Sequence, residues 1–350
     1  MNIKMINPTS DKRWDEFIFN HPKGTIYHHS SWARVLQERY ETNPIYYVIE
    51  NEEGKITSIA PFFLTTSPLG GKRLVCLPCS EYCYPIADQE NEMSALLMKA
   101  REEVKNNNVS YVEIRGFGSE GNTDSFSLKK HAYYLNHVTT LDGSAESLKA
   151  KLSRDTRYHI NRGNRSNVTI RLAEKEADLI QFHRLTTNMR RRINLLPWPY
   201  RFFKSIYENI ILPGYGYLLV AEVNEQIVSG GIFFCYKNRV INKFNASNPD
   251  YIQLRTNYVV MWRAIEMAFE AKYKYFDFGV TNPENTGLLK FKSHWGSVQE
   301  VMPYYYYPEI SAANAVPESS LIYRTHTTIN KVLPEFALKM AAELLYKRMG

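Results

Sequence analysis

The sequence predicts an α/β (α+β) protein of two tandem, homologous domains, each with a mixed central sheet flanked by helices. Three observations predict it. Tyr47–Phe63, YVIENEEGKITSIAPFF, reappears as Tyr217–Phe234, YLLVAEVNEQIVSGGIFF, with an apolar strand, a polar turn and a second strand ending on Phe-Phe in both. Each copy is followed by a helix-like stretch, Ser94–Val104 and then Asn257–Phe269. Each helix leads to a short strand opening on Tyr, Tyr111-Val-Glu-Ile-Arg-Gly and Tyr275-Phe-Asp-Phe-Gly. Solenoid repeats run only ~20–50 residues, so a period this long marks duplicated domains. The expected division is 1–143 plus 310–350 for the first domain and 144–309 for the second, with a ligand site in the cleft between them.

The first domain opens with a helix at Lys12–Phe19 and a loop, after which Ser30 or Ser31 can cap a helix at Trp32–Tyr40. Strands follow at Ile45–Glu50, Ile56–Leu64 and Lys72–Leu77. Leu96, Leu97, Ala100 and Val104 recur at helical spacing within Glu92–Asn106. Strands at Tyr111–Arg115 and Ala132–Thr140 complete this part. The second domain enters on a helix at Ser144–Leu152, runs through a basic stretch, and takes up strand Val168–Leu172. Helices Glu174–Thr187 and Tyr200–Asn209 precede a meander of Tyr217–Val223, Ile227–Tyr236 and Asn238–Ala246. Helix Asn257–Glu270, strand Tyr275–Phe278 and a Tyr-rich strand Val301–Tyr307 follow. A Pro- and Ser-containing link then leads to an amphipathic helix at Phe336–Arg348, expected to pack on the first domain.

Of the 350 residues, 44% are apolar and 23% charged, the balance of a folded globular chain. The N-terminus lacks an apolar secretory core, and no window approaches the ~18 apolar residues of a membrane span. A cytoplasmic protein is expected. Lys339, Lys347 and Arg348 on the last helix leave open a peripheral contact with the inner face of a membrane. The formal charge of +7 is concentrated between Lys149 and Arg171, followed by Arg190-Arg191-Arg192. Such a run is either a solvated helix face or the footprint of a phosphate-rich ligand. No nucleic-acid module is recognisable, and no DNA partner is expected.

Three apparent motifs do not support the chemistry they suggest at first sight. Cys76, Cys79 and Cys83 lack a fourth ligand nearby, so no metal site is expected. Gly116-Phe-Gly118-Ser-Glu-Gly121 matches G-x-G-x-x-G, but a polar loop follows where a dinucleotide site needs a helix. His28 and His29 have no Ser or Cys nucleophile in a recognisable order, so a structural or substrate-positioning role is expected of them.

The tandem meander, the Tyr-x-Asp-x-Gly strand end and the segment Gly287-x(3)-Phe291-Lys292-x(3)-Gly296 resemble the Fem family, acyltransferases with a GNAT-like fold that build peptidoglycan bridges from aminoacyl-tRNA. The resemblance covers nearly the whole chain and matches the form without a coiled-coil arm. It implies two tandem GNAT-like domains. It further implies that Trp32 and Arg34 (in Trp-Ala-Arg) and Arg191 hold a substrate phosphate, and that Tyr111 contacts the substrate. Phe291 and Lys292 would lie near the reacting carbonyl, with Asp277 beside them; Arg154 and Arg157 would extend a phosphate surface toward tRNA. Muramyl-peptide-binding members carry an Asp five residues after the Tyr, where this chain has Gly116. The helix after the second meander is preceded by Gln253-Leu-Arg-Thr-Asn-Tyr, without the glycines of a CoA pyrophosphate turn.

Amide formation from an activated ester needs alignment, a neutral amine and stabilisation of the oxyanion. Lys292 is the candidate for the last role, or else a cap on backbone carbonyls. Asp277 is either the acceptor of the amine proton or an anchor of its strand end. No tightly bound cofactor is expected, with aminoacyl-tRNA or acyl-CoA entering as donor and a phosphate-linked envelope precursor as acceptor. The alternatives are an acyl-CoA-dependent N-acetyltransferase acting on a sugar amine or small amine, and a non-catalytic binding module.

Overall fold

The computed structural model describes residues 2–39, 44–67, 71–106, 108–116, 126–310, 337–338, 340 and 342–343. Contacts divide the chain into two compact units. One comprises the residues up to Tyr134 and a segment beginning at Met302, the other Leu135–Val301 with part of the C-terminal segment.

In the first unit, α1 (Lys12–Asn20) starts at Asp11, whose side chain accepts the Arg13 amide, and buries Trp14 and Ile18 one turn apart. Asp15 on that helix takes the amide of Ser30 at 2.8 Å and its hydroxyl, starting α2 (Ser30–Arg39). The alternating apolar runs become β2 (Pro44–Glu50) and β3 (Ile56–Ser67), an antiparallel hairpin. An edge strand absent from the sequence expectations, β1 (Asn2–Ile6), pairs with β2; it buries no residue and so lacks the alternation that would reveal it. Beyond β4 (Gly71–Val75), α3 (Glu90–Asn106) packs Met93, Leu96, Leu97 and Ala100. β5 (Val109–Arg115) then lies parallel to β4.

The second unit repeats the plan. After the chain passes through β6 (Lys129–Thr140), Ser144 caps α4 (Ala145–Lys151) and Ser153 caps α5 (Arg154–Asn164). α5 was not evident in the basic stretch, because its inward stripe is Thr156, Ile160 and Gly163, only one of them strongly apolar. The short strand β7 (Thr169–Leu172) and α6 (Glu176–Arg192) follow; the helix runs one turn past its expected end, and α7 (Tyr200–Ile206) comes next. β8 (Gly216–Val223), β9 (Gln226–Tyr236) and β10 (Arg239–Ser247) form the expected meander. α8 (Thr256–Glu270) buries eight residues, and β11 (Tyr275–Thr281) runs parallel to β10 and antiparallel to the Leu135–Thr140 half of β6. Each fully buried apolar side chain contributes roughly 1.5–3 kcal/mol, which makes α8 the main support of this sheet. A second unforeseen helix, α9 (Thr286–Ser293), buries only Lys292, so no apolar period announces it. β12 (Val298–Tyr307) closes the described body, its Tyr304–Tyr307 half pairing antiparallel with β5.

Duplicated hairpins, helices and parallel strand pairs are thus present in both units. The expected C-terminal helix is described only at Ala337, Leu338, Met340, Ala342 and Glu343, which are helical; its three cations lie outside the described residues. So does most of the Gly116–Gly121 segment. Among the described residues, no helix is long and apolar enough to cross a membrane.

Candidate active site

β10 and β11 pair only through Arg239–Tyr275, Val240–Phe276 and Ile241–Asp277. β10 continues to Ser247 and β11 to Thr281, yet no register joins them past Ile241. Two irregularities accompany this parting. β10 carries an extra residue between Asn242 and Phe244. On β11 the partners step from Asp277–Val138 to Val280–Asn136, so that Phe278 and Gly279 together oppose His137. Gly279 takes φ +72°, a conformation side chains resist. The Asp277 carboxylate secures the bend. It accepts the Gly279 amide at 2.8 Å, Asn136 Nδ2 at 3.2 Å and Arg239 Nη1 at 2.7 Å. The Asp-x-Gly spacing of the motif is this bulge and its brace.

α9 sets Lys292 against the same strand end. Asn285 starts the helix by accepting the Leu288 amide at 3.1 Å. Lys292 is 6% exposed, and its Nζ donates to Gly279 O at 2.6 Å and Val280 O at 3.5 Å. The ammonium therefore caps strand carbonyls, and it holds a positive charge in a desolvated place, where electrostatic stabilisation is strongest. Phe291 meets Tyr258 and Trp295 edge-on at 5.5 and 5.8 Å, and Tyr258 stacks on Trp295 at 5.9 Å. This aromatic set fixes α9 to the first turn of α8. Phe291, Lys292 and Asp277 are thus brought together, with Gly279 as their link.

The remaining expected residues are placed as follows. Arg157 is half-buried and donates to the carbonyls of Ala150 and Leu152 at 2.9 and 2.7 Å, capping the end of α4, whereas Arg154 is exposed at the start of α5. Arg191 lies half-buried in the last turn of α6. In the first unit, Arg34 is exposed and donates to Thr9 O at 3.2 Å. Trp32 is buried, with its indole N–H on Ser80 Oγ at 2.9 Å. Tyr111 accepts Arg73 Nη1 at 3.3 Å and packs edge-on to Tyr306 at 5.8 Å.

Sequence reasoning missed Arg239, Asn136 and His137. They join the site through strand pairings between distant segments, which no local pattern records. His137 is 1% exposed, and its Nδ1 has no hydrogen-bond partner among the described residues. Burial pushes its pKa down and the Lys292 ammonium adds to this, with Asp277 opposing.

Residues 150–293, wholly within the second unit, match the family described as an acetyltransferase (GNAT) domain. The chain shares its fold with FemX (TM-score 0.71, 15% identity, over 88% of this chain and 97% of that one). It is also similar in fold to L-PGS from Bacillus licheniformis (TM-score 0.57, 12% identity, 94% and 98%). A third likeness is to a tandem GNAT protein from the clavulanic acid biosynthesis pathway (0.55, 7%, 87% and 97%). Among curated proteins no sequence matches. Residues 150–293 thus carry a match to an acetyltransferase (GNAT) domain, and the described chain has a tandem fold like that of FemX.

Proposed function

We propose that this protein transfers an aminoacyl or acyl group from an activated ester to an amine on a phosphate-linked cell-envelope precursor, of peptidoglycan or polysaccharide. The observation that carries the reading is the parting of β10 and β11 beside buried Lys292. Parted strands leave room for an acyl group at the sheet, and a desolvated ammonium beside them stabilises the oxyanion or the leaving alkoxide. Phe291 shapes the site, Asp277 braces it, and Arg34, Trp32, Tyr111 and Arg191 are the proposed acceptor contacts. The protein acts in the cytoplasm, at the inner face of the membrane when its acceptor is lipid-linked.

The favoured donor is aminoacyl-tRNA. A CoA pyrophosphate needs an uncrowded helix start, and the start of α8 is crowded. A Cβ at Gly163 of α5 would lie 2.3 Å from Val259 Cγ2 and 3.1 Å from Leu254 O, so α5 packs directly onto that turn. Exposed Arg154 supplies charge on the same helix for an RNA phosphate. Acyl-CoA is the second reading, favoured by the match to acetyltransferase domains. No tightly held cofactor enters either scheme.

The test is calorimetric binding and transfer, followed by mass spectrometry. Acetyl-CoA is set against alanyl-, seryl- and lysyl-tRNA as donors, with UDP-linked muramyl peptides and UDP-linked amino sugars as acceptors. Transfer from a charged tRNA that is lost in Lys292→Ala supports the reading. Tight acetyl-CoA binding with acetyl transfer to a UDP-linked amino sugar replaces it with the second. No transfer from any donor leaves a binding module.

A further inference from the structure

Among the described residues, the buried polar side-chain atoms of the second unit that lack a hydrogen-bond partner include three around the β11 bulge: His137 Nδ1, Thr281 Oγ1 and Trp295 Nε1. Their residues are 1%, 3% and 0% exposed. Buried polar groups are normally satisfied, so three orphans in one region point to a partner that arrives from outside. They share one face of the sheet. Side chains alternate along β6, which puts His137 with Thr139, and the Thr139 hydroxyl donates to Trp295 O at 3.2 Å. Thr281 pairs with Leu135, two residues along β6 from His137 and on the same side. Lys292, three residues before Trp295, reaches the carbonyl of Gly279, and Gly279 with Phe278 stands opposite His137 across the bulge.

We propose that His137 is the proton acceptor of the transfer, a catalytic residue whose Nδ1 meets the attacking amine. The proposal rests on the acyl-transfer reading above. The amine nitrogen forms a bond to the acyl carbon, and the ester C–O bond breaks with its electron pair on the departing oxygen. The proton lost by the amine passes to His137 and from there to that oxygen. Ester and amine become amide and alcohol, and no further reactant is needed. Asp277 is unsuited to this task, since its carboxylate already accepts from Gly279, Asn136 and Arg239. Burial and the Lys292 ammonium hold the imidazole in its neutral form, the form that can accept a proton. Thr281 and Trp295 offer an O–H and an N–H to the same incoming group.

Two measurements on the full chain decide the matter. Nitrogen-15 NMR of labelled histidine, with the His137 signals identified by their loss in His137→Gln, should show a neutral ring at pH 7. Transfer from alanyl-tRNA, seryl-tRNA, lysyl-tRNA and acetyl-CoA to UDP-linked muramyl peptide and UDP-linked amino sugar is then followed against pH. His137→Gln should lower kcat by about 100-fold with KM within about threefold. It should also lose the acid limb of the kcat/KM profile and recover part of its rate with added imidazole. His137→Asn, with thermal unfolding of both variants, separates a lost base from a lost fold. A cationic ring at pH 7 overturns the proposal. So does a folded His137→Gln protein that keeps its rate within about twofold and its acid limb intact, and that outcome leaves the transferase reading standing. A wild-type protein that transfers from no donor overturns both.

Discussion

The two units treat the same seam in opposite ways. In the first, β4 ends at Val75, and Leu77 and Cys79 adopt left-handed backbone that turns the chain aside. The run Cys83–Ile86 then takes the place β4 has vacated. Cys83 exchanges backbone hydrogen bonds with Arg115 of β5 at 3.0 and 3.2 Å, and Ile86 with Ile59 of β3 at 2.8 and 2.9 Å. The seam is closed by the protein's own backbone. In the second unit β10 and β11 part after Ile241, and what stands at the gap is a lysine ammonium on two carbonyls. A strand satisfies backbone groups permanently, whereas a side chain can yield them to a ligand. The repeated plan supplies two scaffolds, and only in the second does the seam stay unpaired by backbone.

The largest expected effect breaks the open seam. Lys292→Ala should lower transfer by about 100- to 1,000-fold while donor binding by calorimetry persists. Lys292→Met retaining a tenth of the rate would reduce Lys292 to a strand cap. Next is the brace: Asp277→Ala leaves Arg239 without its buried carboxylate and should cost about 3 kcal/mol in urea unfolding. An unchanged midpoint would show the bulge to be self-supporting.

The closed seam should respond in stability alone. Arg115 Nε pairs with buried Glu113 at 2.7 Å, so Arg115→Met should cost about 2 kcal/mol without altering donor affinity. A loss of donor binding there would erase the contrast between the units.

A smaller effect is expected with pH. His29, His137 and His159 have pKa values lowered by burial, so each stays neutral in the fold where the unfolded chain, titrating near ~6.5, takes up a proton. More protons on the unfolded chain means stability falls as pH drops below about 6.5 and is fully present above it. The urea midpoint should therefore decline from pH 7 to 5, and less steeply in His137→Gln. The smallest effect separates two arginines of α5. Arg157→Ala, which uncaps α4, should cost about 1 kcal/mol, and exposed Arg154→Ala nothing measurable. Charged-tRNA affinity should drop for Arg154→Ala all the same.

Much of this fold was legible because its signals are local. Strand alternation in the two hairpins, the apolar faces of α3 and α8, and Ser144 as a cap can each be read within one segment. The site was half legible. Asp277, Gly279, Phe291 and Lys292 stand close in sequence, and the fold joins them by hydrogen bonds and packing. Arg239, Asn136 and His137 enter through registers between strands far apart in the chain, and α5 and α9 escaped notice because neither carries a strong apolar stripe. The Lys292 contacts show why a motif alone could not choose between catalyst and cap: the ammonium caps two strand carbonyls and does so where β10 and β11 part.

The chain changes unit in the middle of β6, after Tyr134, and again within β12, after Val301. The repeats are therefore not interchangeable cassettes. A gene fragment beginning at Ser144 would omit Leu135–Thr140, the strand that pairs with β11 and carries Asn136 and His137. Such a half would present a bare sheet edge, prone to aggregation, and would lack two residues of the candidate site. A cut that separates the units at either crossing falls inside a strand, where it severs backbone pairing on both sides.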